Sequence, residues 1–124
     1  MATGTKSDTQ DQVIQVEAVR YKNSSGAAAA GAITLNAPAG IVTSEALTTA
    51  QNATYTLTIT NSFIAASDIV TTSLANGTNT QGTPVVVRVT PAAGSLVILV
   101  KNMHDSAQAL NGTIVISFIA TKTA

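Results

Sequence analysis

The stretch Ala53-Thr-Tyr-Thr-Leu-Thr-Ile-Thr60 decides the fold. Ala53, Tyr55, Leu57 and Ile59 alternate without error against Thr54, Thr56, Thr58 and Thr60. A period of two is the mark of a strand with one dry face and one wet face. Threonine fits a pleated strand and keeps the wet face polar without adding charge. No segment of the chain sustains a 3.6-residue period, so helices are not expected.

Strand signals recur on both sides of this stretch. Downstream come Ser67 to Leu74 and the loop Ala75-Asn-Gly-Thr-Asn-Thr-Gln-Gly82. Pro84 to Thr90 and Ser95 to Lys101 then flank Pro91-Ala-Ala-Gly94, a compact hairpin connection. Thr113 to Thr121 follows Asn111-Gly112 as the last strand. Upstream lie Ala32 to Asn36, ended by the turn chemistry of Asn36-Ala-Pro-Ala-Gly40, and a weaker candidate over Ile41 to Leu47. Asn23-Ser-Ser-Gly26 reads as a linker. Ala27 to Ala30, bracketed by Gly26 and Gly31, reads as the start of a strand or a closely packed loop. Val13 to Val19 alternates again, with Ile14, Val16 and Ala18 against Gln15 and Glu17. Its end residues Val13 and Val19 fall on the polar side.

These spacings predict an all-β chain: one β-sandwich or jelly-roll domain of seven or eight short strands with an extended N-terminal arm. Residues 1–22 form the arm and first strand, and residues 23–124 the sandwich. At 124 residues the chain is one domain's worth. Halving it would leave two units of about 60 residues, each only marginally able to bury a core.

Charge is scarce and unevenly placed. Charged residues make up 10% of the chain, against about 25% in an ordinary soluble domain. Lys6, Asp8, Asp11, Glu17, Arg20 and Lys22, half of the twelve, fall in the first 22 residues. A free monomer usually covers itself with charge to stay unassociated. A neutral, charge-poor body fits a protein whose surface is occupied by partners.

Two strands carry the same message. Leu96, Ile98 and Val100 face one way, yet Val97 and Leu99 put apolar groups on the other face. Ile114, Ile116 and Phe118 are likewise opposed by Val115 and Ile119. A sandwich strand needs only one dry face. Val97, Leu99, Val115 and Ile119 are therefore the candidate oligomer interface, within an apolar patch of the kind that marks a contact surface.

Residues for catalysis are sparse. The sole histidine, His104, precedes Asp105, but neighbours on an extended chain point apart and no activated nucleophile accompanies them. Outside the N-terminal segment the carboxylates are Glu45, Asp68 and Asp105, without metal-ligand spacing or a recognisable catalytic pair. Six cations balanced by six anions give no basic footprint for nucleic acid, and four aromatic rings give few stacking platforms. There is no cysteine, hence no disulfide or thiolate chemistry. No cofactor and no enzymatic activity are expected. The polar start MATGTKSDTQDQ lacks the apolar core of a secretory signal, and no apolar run approaches the roughly 20 residues of a membrane helix. Synthesis in the cytoplasm and no membrane partner are expected. The Asn-X-Ser/Thr triplets at Asn23, Asn52, Asn76 and Asn111 read as turn chemistry.

The stretches Gly40-Ile-Val-Thr-Ser-Glu-Ala-Leu-Thr-Thr-Ala50 and Tyr55-Thr-Leu-Thr-Ile-Thr-Asn61 resemble small β-sandwich proteins of tailed-phage virions. So do Asn76-Gly-Thr-Asn-Thr-Gln-Gly-Thr-Pro84 and Ala109-Leu-Asn-Gly-Thr-Ile114, all within about residues 32 to 120. The resemblance implies a capsid decoration (cement) protein, a jelly-roll oligomer on the exterior of a shell built from HK97-like major capsid protein. It allows trimers and dimers, with a trimer favoured. The charged N-terminal segment, with Lys6, Asp8 and Asp11, is then the candidate capsid-contacting arm. A second reading is a receptor-binding knob or fibre tip that recognises host glycans through a polar pocket among loops 75–83 and 102–112.

Overall fold

The computed structural model describes residues 23–123. The strand expected over Val13–Val19 and the arm residues Lys6, Asp8 and Asp11 lie outside them. Eight strands follow in order: β1 (Asn23–Ala27), β2 (Ala32–Thr34), β3 (Ala39–Thr43), β4 (Thr54–Thr60), β5 (Ile69–Asn76), β6 (Pro84–Ala92), β7 (Ser95–Asn102) and β8 (Ile114–Thr121). They form two four-stranded sheets, ordered β1-β3-β8-β5 and β2-β4-β7-β6, and the described residues contain no helix. The chain is an all-β sandwich.

The period-two pattern builds the layers. On β4, Tyr55, Leu57 and Ile59 are buried between the sheets, while the threonines face outward. Opposite them in the ladder stand Val100, Ile98 and Leu96 of β7, all fully buried. Ile114, Ile116 and Phe118 of β8 supply the other half of the core, with Val42 from β3. Each such side chain contributes about 1.5–3 kcal/mol by leaving water.

Two parallel pairs, β1 with β3 and β2 with β4, interrupt the antiparallel pairing that a jelly roll carries throughout. The first involves a correction, because Asn23-Ser-Ser-Gly26 is not a linker but most of β1. Its small polar residues give no alternation, and their role is to let the layers close. A Cβ on Gly26 would stand 2.7 Å from Ile33 Cδ1. The alanines end in a tight turn, with Ala30 and Gly31 at φ of 52° and 75°. The expected hairpin tightens: β6 runs through Pro91 to Ala92 and pairs with Ser95, leaving a two-residue turn.

Candidate interaction surfaces

The four apolar residues singled out on β7 and β8 are all outward-facing, but they do not share a surface. Val97 and Leu99 lie on the outer face of the β2-β4-β7-β6 sheet, between Thr58 and Thr90 and between Thr56 and Arg88. Val115 and Ile119 lie on the outer face of the opposite sheet. The expected patch is therefore two patches, back to back. Val97, Leu99 and Val115 are half-buried by their neighbours, whereas Ile119 is 39% exposed. Ile41 and Ile69, exposed on the same face as Ile119, extend that second patch.

A third surface was not anticipated. β5 and β6 are the outermost strands of their sheets on the same side of the sandwich. Their inward residues Val70 and Leu74 on β5, and Val86 and Val89 on β6, are only half-buried, although their ladder neighbours Ala120, Ile116, Val100 and Ile98 are buried. A groove of about 540 Å³ runs between the two strands. The run Pro84-Val-Val-Val-Arg88 carried a signal for it, since three consecutive valines cannot all face one core. Alternation turns Val85 and Val87 outward and Val86 inward, and a bulge at Val87 shifts the register so that Arg88 faces outward beside Leu99 and Val89 inward beside Ile98.

At one end of the sandwich, loops 77–83 and 103–113 meet. Their polar groups are largely spent on one another. The Asn79 side-chain amide donates to Asn76 Oδ1 and to the Gln81 carbonyl, and its Oδ1 accepts from the Asn111 N–H. Asn111 exchanges two hydrogen bonds with Thr80, and Thr78 and Thr113 bond each other's backbone N–H through their hydroxyls. Asn102, fully buried, accepts from the Thr83 and His104 N–H groups and donates to the Thr49 and Gln108 carbonyls. That fills its hydrogen-bonding capacity and pins three loops together. The asparagines of the Asn-X-Thr triplets at 76 and 111 are thus loop fasteners.

His104 and Asp105 do not point apart as an extended chain would require. The backbone bends at residues 105–107, and Nε2 of His104 comes within 3.8 Å of Asp105 Oδ1. This is too long for a hydrogen bond, and the carboxylate is almost fully exposed. The ring is instead held by Thr83 Oγ1, 3.0 Å from Nδ1.

Two polar pairs brace the periphery. Asp68, at the entry to β5, is buried and accepts from Lys122 Nζ at 2.8 Å and from the Ala65 N–H at 2.9 Å. Lys122, followed by the Ala65 amide, holds this carboxyl below its ordinary pKa. The Tyr55 hydroxyl donates to Glu45 Oε1 at 2.9 Å. Burial, reinforced by this contact with a carboxylate, raises the phenol well above its usual range, so it stays a donor. Among the described residues no three His, Asp or Glu side chains gather as a metal site, and no helix is long and apolar enough to cross a membrane.

Comparisons of the chain with protein-family models, with curated proteins and with solved structures give no match.

Proposed function

We propose that this chain is a non-enzymatic structural protein of a phage virion. It works as a homo-oligomer, a trimer in preference to a dimer, on the capsid exterior. There it cements the shell by binding between subunits of an HK97-like major capsid protein. The observation that carries this reading is a charge-poor sandwich with apolar residues on the outer faces of both sheets, Val97 and Leu99 on one and Ile41, Ile69, Val115 and Ile119 on the other. Such surfaces suit partners on two sides. The resemblance of residues 32 to 120 to tailed-phage virion sandwiches gives the partner its class. Multivalency supplies the strength, because weak contacts from each copy add when the geometry engages them together.

The loops at residues 77–83 and 103–113 support the glycan-binding alternative less well. Their amides and hydroxyls are committed to holding the loops closed.

Co-sedimentation with undecorated capsids tests the proposal. The unaltered chain should pellet with capsids. A full-length variant with Lys6→Gln, Asp8→Asn and Asp11→Asn should lose binding while keeping its oligomeric mass. Unchanged binding by that variant would remove the arm from the interface. Absence of binding by the unaltered chain, with saturable binding to host cells instead, would favour the receptor reading.

A further inference from the structure

We propose that Asn76 and Asn111 are coupled sites of spontaneous deamidation, each shielded by the other's loop, so that conversion of one exposes the other. The inference does not rest on the virion reading.

Both asparagines precede a glycine, as Asn76-Gly77 and Asn111-Gly112, and both glycines precede a threonine. Such a step is open to this reaction because glycine puts no side chain in the way of its own nitrogen. The glycine nitrogen attacks Cγ of the asparagine and closes a five-membered imide. The Cγ–Nδ2 bond breaks, and Nδ2 leaves as ammonia with the proton from the glycine N–H. Water then opens the imide at either carbonyl. One opening gives aspartate. The other gives isoaspartate, whose main chain runs through Cβ and is longer by one methylene.

The reaction needs a mobile side chain and a glycine nitrogen released from its hydrogen bond. The fold restrains both steps, and each restraint comes from the other loop. At the first step the nucleophile is held: the Gly77 N–H donates to the Thr113 carbonyl at 2.9 Å. The next N–H, that of Thr78, donates to Thr113 Oγ1 at 2.9 Å. At the second step the electrophile is held. Asn111 Oδ1 accepts from the Thr80 N–H at 2.7 Å, and its Nδ2 donates to Thr80 Oγ1 at 2.8 Å. The Asn111 N–H donates to Asn79 Oδ1 at 2.8 Å, and Asn79 Nδ2 donates to Asn76 Oδ1 at 3.0 Å. One run of bonds thus joins Asn76 through Asn79 to Asn111.

Neither loop has room for a longer main chain. A Cβ on Gly112 would stand 2.5 Å from Thr78 Oγ1 and 2.7 Å from the Asn79 nitrogen, and one on Gly77 would collide with Thr113 Oγ1. Isoaspartate at 76 pushes Gly77 and Thr78 off Thr113. Isoaspartate at 111 displaces Gly112 and Thr113, which releases the Gly77 nitrogen. Even plain aspartate at 111 has no amide donor for Thr80 Oγ1. Conversion at one step loosens the other.

Ageing of the full chain at mildly alkaline pH tests the coupling. Trypsin cuts after Arg88, Lys101 and Lys122, so the two asparagines fall in separate peptides, and mass spectrometry reads the conversion of each. In the folded protein both sites should convert at least about tenfold more slowly than in the same chain in denaturant, the rate equivalent of one hydrogen bond. Each conversion adds a negative charge, so ion exchange isolates the singly converted protein. On renewed ageing its remaining site should convert up to about tenfold faster than the same site in unconverted protein. Asn111→Ala should likewise speed conversion of Asn76, and Asn76→Ala that of Asn111, with circular dichroism showing that each variant is folded. Conversion as fast in the folded protein as in denaturant would overturn the shielding. A remaining site that keeps its rate, in the converted protein and in the variants, would overturn the coupling.

Discussion

The two sides of the sandwich are closed by different means. On the β1/β2 side the strands are short, Gly26 lets Ile33 and Leu35 press against the neighbouring layer, and Leu35 and Val42 are buried. On the β5/β6 side the strands are the long ones, yet their inward residues remain half-buried beside a groove. One side is finished within the chain. On the other, among the described residues, Val70, Thr72 and Leu74 of β5 and Val86 and Val89 of β6 face inward without being fully covered. The difference teaches that strand length and apolar pattern do not by themselves make a core; a layer must stand over every inward face.

The largest test of that contrast is a pair of truncations. Ile98→Ala, in the closed interior, should cost about 2–5 kcal/mol in chemical denaturation. Leu74→Ala, half-buried beside the groove, should cost less, about 1–2 kcal/mol. Equal costs at the two positions would break the comparison.

A smaller effect is expected at the closed side's turn. Gly31 sits at φ of 75° with the Thr56 carbonyl oxygen 2.5 Å from where a Cβ would lie. Gly31→Val should lower stability by about 1–3 kcal/mol, read from the denaturation midpoint at constant slope.

The open side should respond to acid through Asp68, which ties the entry of β5 to Lys122. Its folded-state pKa lies below the unfolded value of about 3.9. The stabilisation is therefore present above that unfolded value and is lost as pH falls through the lowered folded one. Melting temperature followed from about pH 6 to pH 2 should fall over that window. Asp68→Asn should flatten this part of the curve. An unchanged curve in the variant would assign the acid sensitivity elsewhere.

The smallest change belongs to the edge strands. Val87→Lys on β6 should alter stability by no more than about 0.5 kcal/mol and leave the oligomeric mass unchanged. Thr71→Lys, on the outward side of β5, should be equally mild for the fold.

Much of this was legible in the residues. The alternation at 53–60 located β4 to within one residue, and the hairpin chemistry at 91–94 located the joint of β6 and β7. The doubly apolar strands were seen for what they are, with both faces of β7 and β8 carrying hydrophobic groups. β1 was not legible, because Asn23-Ser-Ser-Gly-Ala27 forms a strand through parallel pairing to β3 rather than through any pattern of its own. Nor was the separation of Val97 and Leu99 from Val115 and Ile119, since which sheet a strand joins is set by long-range pairing.

The sequence by itself determined the class of fold, the faces of its best strands and the poverty of charge, because these follow from period and composition. Only the tertiary structure decided which strands became edges. That choice gave the two outer apolar patches to opposite sides and, among the described residues, put β5 and β6 at the edges beside a groove. Edges are a property of neighbours: a strand's own residues state which face is dry, but not whether another strand will stand beside it.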